Sequence, residues 1–241
     1  MKFYITGDFH GRFEELYGRL ERIQEPDAAI IVLGDSGFNY YLNKTDKKLK
    51  QKVSEYGFRI YCVRGNHEAR PEDVPGMKVI YDSDVRGNVY MEEDFPLIRY
   101  LIDGGIYDIE NHRTLVIGGA YSVDKDYRLL RGWKWFYNEQ LNKEERTEIF
   151  ERVKGDWFDL ILTHTAPLSL EPIDLFLPMI DQSQVDKTTE NFLEGIKNNV
   201  RWDVWCFGHY HASRIVDTGV EMFFTNIERL RTVMNRWQKE S

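Results

Sequence analysis

The run Phe58-Arg59-Ile60-Tyr61-Cys62-Val63 passes directly into Arg64-Gly65-Asn66-His67-Glu68, and this junction decides how the chain is read. A short apolar run that ends at a turn residue reads as a buried strand. A turn at its carboxyl end then stands where open α/β sheets keep their ligands. Gly65 permits a tight turn, after which Asn66 and His67 present an amide oxygen and an imidazole side by side. One side chain can hold a metal while the other holds a proton. In isolation such a pair is ordinary loop polarity, so its meaning depends on the rest of the chain.

Upstream, the same grammar occurs twice. Lys2 to Thr6 is strand-like and gives way to Gly7-Asp8-Phe9-His10-Gly11, then to Phe13, Leu16, Leu20 and Ile23 at helical spacing. Ala28 to Leu33 ends in Gly34-Asp35, and a helix follows from about Thr45 to Glu55. Downstream, Leu97 to Ile102, Ile106 to Ile109 and Thr114 to Ile117 are short strands. The turns Asp103-Gly104-Gly105 and Glu110-Asn111-His112-Arg113 between them predict hairpins in a second, more antiparallel sheet. Ala120 to Tyr137 forms an aromatic-rich insertion, read either as a loop pinned by its rings or as a substrate-recognition surface. Asn138 to Val153 predicts a helix, and Phe158 to Leu162 a strand ending at Thr163-His164-Thr165. Pro172 and Pro178 break the segment near 168–187, which reads as a lid or an interface loop with a local apolar cluster at Ile173, Leu175, Phe176 and Leu177. Thr188 to Asn199 suits a helix and Asp203 to Phe207 a strand ending at Gly208-His209-Tyr210-His211. Glu221 to Thr225 supplies a last strand, and a polar tail with a short helix runs to Ser241. Strands alternating with helices predict an α/β fold around a parallel sheet.

The 241 residues carry no linker-like stretch, repeat or low-complexity tract, so a single domain over 1–241 is the simplest organisation. Cys62 and Cys206 both fall inside apolar runs, which places them as buried thiols in a reducing, cytoplasmic setting and rules out a zinc site built on cysteine. No segment has the apolar length of a membrane span, and Phe3 to Thr6 lacks the basic flank and long apolar stretch of a signal peptide. A formal charge of −8 opposes broad affinity for nucleic-acid backbone. It leaves a nuclease open, because bound metals create a local cationic site. The oligomeric state is open as well.

Five of the six histidines, with Asp8, Asp35 and Asn66, lie just after predicted strands. Parallel strands end along one edge, so these residues are delivered to one place. Each has a plain alternative: Asp8 as a helix cap, Gly34-Asp35 as a turn, His164 as a loop histidine bonded to backbone. His209 and His211 carry more weight, since on extended backbone alternate side chains project to the same side. His112, in a hairpin turn, receives no role. Carboxylate, amide and imidazole donors without thiolate suit Mn²⁺, Fe or Zn²⁺ better than Ca²⁺, and seven candidates exceed what one ion needs. Two divalent ions, Mn²⁺ first, are the expectation.

Asp8-x-His10, Gly34-Asp35, Gly65-Asn66-His67-Glu68, His164 and Gly208-His209-x-His211 together resemble the ordered motifs of the calcineurin-like metallophosphoesterase superfamily. The resemblance implies a four-layer αββα sandwich, two mixed β-sheets flanked by helices. It implies one metal held by Asp8, His10, Asp35 and His211, and a second by Asp35, Asn66, His164 and His209. It also implies a phosphoester hydrolase in which a metal-bridging hydroxide attacks phosphorus, Asn66 touches the phosphate, and His67 protonates the leaving group. Arg64-Gly65-Asn66-His67-Glu68 resembles the protein Ser/Thr phosphatase branch. That branch has an Asp-Arg pair a few residues after the second motif, whereas Asp35 is followed here by Ser36-Gly37-Phe38-Asn39. The phosphate-clamping arginine therefore has to come from elsewhere, with Arg64, Arg128 and Arg131 as candidates.

The expected substrate is a phosphorylated small molecule or nucleotide. A phosphomonoester is the first reading and a nucleotide or oligonucleotide phosphodiester the second, kept in play by rings near 120–137 that can stack a base. A scaffold that lost its chemistry is the third, and the full set of ligand types argues against it.

Overall fold

The computed structural model describes residues 1–23, 25 and 27–237, so the last four positions of the tail, to Ser241, lie outside the described residues. In chain order the strands are β1 (Lys2–Thr6), β2 (Ala28–Val32), β3 (Arg59–Cys62), β4 (Met77–Asp82), β5 (Gly87–Glu92), β6 (Ile98–Leu101) and β7 (Ile106–Ile109). They continue with β8 (His112–Ile117), β9 (Trp157–Thr163), β10 (Arg201–Phe207), β11 (Arg214–Asp217), β12 (Val220–Met222) and β13 (Ile227–Arg229). The helices are α1 (Phe13–Leu20), α2 (Lys44–Ser54), α3 (Lys125–Leu130), α4 (Lys143–Val153), α5 (Thr188–Asn199) and α6 (Leu230–Trp237).

Two mixed sheets result, ordered β13-β1-β2-β3-β6-β5-β4 and β11-β12-β10-β9-β8-β7. Within them β1, β2, β3 and β6 run parallel, as do β8, β9, β10 and β12. The central strands are apolar on both faces because each face feeds a different core. In β2, Ala29 and Ile31 join the core between the sheets, while Ala28, Ile30 and Val32 join the core beneath α1 and α2 with Leu16, Leu20 and Val53. In β10, Val204 and Cys206 point between the sheets, while Trp205 and Phe207 pack under Ile149 and Val153 of α4 and Leu193 and Ile196 of α5. Leu230, Val233 and Met234 of α6 close the inter-sheet core. These layers form an αββα sandwich, and both cysteines are buried and free.

Three local expectations are corrected. Ile98–Leu101 pairs parallel with β3 in the first sheet, so Asp103-Gly104-Gly105 is the crossover between sheets and not a hairpin turn. Asp103 there accepts from Arg64 and from the Gly118 N–H, long-range bonds that sequence spacing does not show. The true hairpin is β7–β8, where Glu110 and Asn111 both take left-handed backbone at φ 52° and 66° and His112 already pairs with Ile109. The helix after the aromatic segment begins at Lys143, because Asn142 caps it in a reciprocal capping box with Glu145. The aromatic-rich segment also contains α3, and the proposed apolar cluster near 173–177 is partly open, with Ile173 74% exposed and Leu177 58% exposed.

Candidate active site

Six loops at the carboxyl ends of β1, β2, β3, β8, β9 and β10 meet at one edge and tie to each other through main-chain bonds. His10 N–H donates to the Asp35 carbonyl at 2.8 Å, Gly11 N–H to Ser36 at 2.9 Å, and Gly208 N–H to His164 at 2.9 Å. Arg19, buried on α1, donates to Thr6 Oγ1 and to the carbonyls of Gly7 and Asp8, each at 3.0 Å, and so fixes the first loop from below. Glu68 accepts from Ser36 Oγ at 2.7 Å and from Gly65 N–H at 3.1 Å, which joins the third loop to the second. A side chain at Gly65 would sit 1.9 Å from Asp35 Oδ1, and one at Gly34 2.0 Å from His164 Nδ1. Glycine is required at both because the Asp35 and His164 side chains pass where a Cβ would be.

His10, Asp35, His209 and His211 all hold left-handed backbone, at φ 50°, 46°, 70° and 52°. For a non-glycine residue this costs of order 1 kcal/mol or more each, and it persists only where surrounding bonds over-determine it. Half of the eight such residues among those described belong to this one site. The backbone is held in costly shapes that aim side chains inward.

The inward-facing atoms fall into two groups. Asp8, His10 and His211 approach one another with His211 Nε2 3.6 Å and His10 Nε2 3.9 Å from Asp8 Oδ2, and the two imidazole Nε2 atoms 2.8 Å apart. Asp8, Asp35 and His164 form the second group. Asp35 Oδ2 lies between them, 3.7 Å from His10 Nδ1 and 3.6 Å from His164 Nε2. Such separations suit donors that share an ion about 2.0–2.2 Å away. His209 is half-buried with its ring 4.9 Å from that of His164, and its backbone N–H donates to Asp8 Oδ1 at 3.1 Å.

Two features of the donor set call for a cation. Asp8 Oδ2 is buried without any hydrogen-bond partner. The second is a face-off of acceptors. His164 Nδ1 lies 2.8 Å from the Leu33 carbonyl, which can only accept, so the ring proton sits there and Nε2 carries a lone pair. Asn66 Nδ2 donates to Ser122 Oγ at 2.8 Å, and that hydroxyl donates to Glu139 at 2.5 Å. Asn66 Oδ1 is thereby turned toward His164 Nε2, 2.8 Å away. Two lone pairs at that distance repel unless a cation lies at hand, and a proton is a poor one because burial lowers the His164 value. The residues present therefore fit a metal centre.

The remaining electrostatics agree. Burial lowers the imidazoles of His10, His67, His164 and His209, and takes His211 down to about 4, so neutral forms, which have a lone pair free for a metal, prevail at neutral pH. Burial and then the Asp35 charge raise Asp8 well above the usual carboxylate range. For Asp35 burial acts upward too, but the imidazoles of His67, His164 and His10 outweigh it and hold the carboxyl low. Burial, with the Asp35 charge next, pushes Glu68 up to about 7.

Asp8, His10, Asp35, Asn66, His67, His164, His209 and His211 thus come together. Arg128 joins them: Nη2 is 3.3 Å from His67 Nε2, and Nε donates to Asp124 at 2.8 Å. Arg64 does not fit a phosphate clamp. It is buried, and its guanidinium donates to Asp103, to the Glu139 carbonyl and to that of Gly118. Arg131 is exposed and sits over the Tyr127 ring. Sequence reading passed over Ser122, Glu139 and Arg19, which act on the site only through other residues and carry no spacing signal of their own.

Such a largely buried, thiolate-free set of carboxylate, amide and imidazole donors is a candidate divalent-cation site at a sheet edge. The family model for calcineurin-like phosphoesterases matches residues 1–213, and the chain belongs to that family. It is accordingly a hydrolase acting on phosphoester bonds, in a family that uses a dinuclear divalent metal centre. No curated protein matches the sequence. Among solved structures that match, one aligns over 96% of this chain and 95% of its own, with a TM-score of 0.47 and 13% identity. Among the described residues no helix is long and apolar enough to cross a membrane.

Proposed function

We propose that the chain hydrolyses a phosphomonoester at a centre of two divalent ions, with Asp8, His10, Asp35 and His211 holding one and Asp35, Asn66, His164 and His209 the other. The observation that carries this reading is the 2.8 Å approach of two acceptors, His164 Nε2 and Asn66 Oδ1, beside the unpartnered Asp8 Oδ2. A donor set of carboxylates, an amide and imidazoles suits Mn²⁺, Fe or Zn²⁺, of which we take Mn²⁺ first, and both thiols are buried in strands with their values pushed up by burial. Two free thiols suit a reducing, cytoplasmic setting.

Bound there, divalent ions supply Lewis acidity, lowering the pKa of water and neutralising phosphate oxygens. The chain's own residues do the rest. Asn66 and Arg128 orient the phosphate, Arg128 through a guanidinium whose Nη2 faces the site. His67 Nε2 lies 3.3 Å from two donors, Asn66 Nδ2 and Arg128 Nη2, and accepts from them while the ring is neutral; once protonated beside a bound phosphate, it turns that proton to the leaving oxygen. Burial, and further on Arg128, lower His67 while Asp35 raises it, and the negative charge of a bound phosphate raises it again.

A phosphodiesterase is the second reading, and a specific observation favours it. Two cavities, of about 320 Å³ and about 1000 Å³, both reach His67, Asp124 and His211, so organic groups have room on either side of a phosphate. p-Nitrophenyl phosphate and bis(p-nitrophenyl) phosphate, assayed with Mn²⁺, separate the two. Preference for the first supports the monoesterase, and inactivity on both overturns the proposal.

A further inference from the structure

The smaller cavity has its own chemistry. Besides the site residues it is lined by Tyr121, Val123, Leu175, Phe176 and Tyr210, with Glu171, Lys187 and Glu190 supplying charge. The two acids are unlike. Glu171 accepts from Lys187 at 2.6 Å and from the Tyr210 hydroxyl at 3.3 Å. Glu190, 4% exposed, accepts at Oε1 from Thr165 at 3.0 Å, and its Oε2 has no partner. A buried acceptor without a donor carries a desolvation cost; Oε2 is covered, and a turn of the carboxylate toward the cavity that Glu190 lines would let a ligand N–H remove that cost, which an acyl chain in the same space would not. Burial, with the Glu171 charge adding to it, pushes the Glu190 carboxyl up to about 7, so it can meet a ligand edge that offers a donor or an acceptor.

The geometry points to this cavity as a subsite for a nucleobase, held between apolar and aromatic walls and read at an N–H by Glu190. A volume of about 320 Å³ is in the range of small-ligand clefts and contiguous with Asn66, His67 and His211, as the organic part of a nucleotide requires. The inference rests on the phosphoester reading and holds for a nucleoside mono- or diester alike. It also makes Glu190 a specificity-determining residue, at the start of a helix whose sequence shows only an ordinary first-turn acid.

The test uses Mn²⁺-loaded protein and two matched pairs: thymidine 5′-monophosphate against phenyl phosphate, and p-nitrophenyl thymidine 5′-phosphate against bis(p-nitrophenyl) phosphate. In the pair that is turned over, kcat/KM is expected to favour the nucleoside compound by about tenfold or more. Glu190→Met, and independently Leu175→Arg at the 36% exposed wall, are expected to cut that ratio at least about fivefold. No preference in the wild type, or a ratio unchanged in both variants, overturns the subsite. Calorimetric titration with thymidine and adenosine reads the cavity without hydrolysis. Binding weakened by Leu175→Arg supports it even if no phosphoester is cleaved, and no binding of either nucleoside overturns it even if phenyl phosphate is cleaved.

Discussion

The two edges of the sandwich are both charged, and they differ in how the charge is satisfied. At the amino edge, a cavity of about 650 Å³ is lined by Lys2, Asp84, Arg86, Asp108, Glu110 and Arg229 among others. It is larger and more polar than the cavity beside Glu190, yet Lys2 pairs with Glu25 at 2.7 Å, Arg86 with Asp108 at 2.7 Å, and Glu110 accepts from Phe3 N–H at 2.8 Å. At the carboxyl edge acceptors face acceptors: Asp8 Oδ2 has no donor, and His164 Nε2 meets Asn66 Oδ1. Size and charge do not mark the site. Left-handed backbone does not either, since Arg86, Glu110 and Asn111 adopt it at the amino edge; acceptors that face acceptors do.

The sharpest way to break this contrast is to remove the carboxylate between the two donor groups. Asp35→Asn is expected to reduce turnover to background and to strip most bound Mn²⁺, read by elemental analysis after gel filtration; full metal content would sink the shared-ligand role. His67→Asn is expected to lower kcat about 10²–10⁴-fold with metal retained. Unchanged turnover removes His67 from the chemistry. One layer further out, Glu139→Gln disturbs the chain Glu139–Ser122–Asn66 without touching an ion. We expect a loss of about 10–100-fold in metal affinity or activity, with the circular dichroism of the fold retained.

Acid attacks the same edge with a defined sign. Five imidazoles sit below the ordinary 6.5, His211 at about 4, so between those values the unfolded chain takes up protons that the folded site refuses. Their contribution to stability is present above about 6.5 and lost as pH falls toward 4. Protons compete with metal in the same direction, so Mn²⁺ content at pH 4.5 is expected well below that at pH 7.5. Equal occupancy would refute imidazole ligation. The smallest effect belongs to the opposite edge: Asp108→Ala breaks an ion pair whose Arg86 side chain is 63% exposed. A stability change within about 0.5 kcal/mol and unaltered turnover are expected. A large loss of turnover would show that the two edges are coupled.

How far the sequence reaches can be followed residue by residue. Ala28 to Leu33 and Phe58 to Val63 announced central strands because both their faces are apolar, and Gly-Asp or Gly-Asn-His after such runs placed ligand types at strand ends. Thr188–Asn199 emerged with the bounds its periodicity indicated. The hairpin β4–β5 escaped notice because only Asp82 of β4 is buried, so no alternation signals it. Ile98–Leu101 was assigned to the wrong sheet because local pattern carries no information about which neighbour a strand pairs with.

What the sequence determined by itself is the inventory and the order: which donors follow which strands, and that no thiolate is among them. Which arginine faces the site was settled only in three dimensions, where Arg64 turns to Asp103 and Arg128 to His67. So were the tautomer of His164 and the orientation of Asn66, each fixed by partners distant in the chain, Leu33 at 2.8 Å and Ser122 at 2.8 Å. Hydrogen-bond direction depends on what lies opposite each atom in space, and spacing along the chain does not encode that.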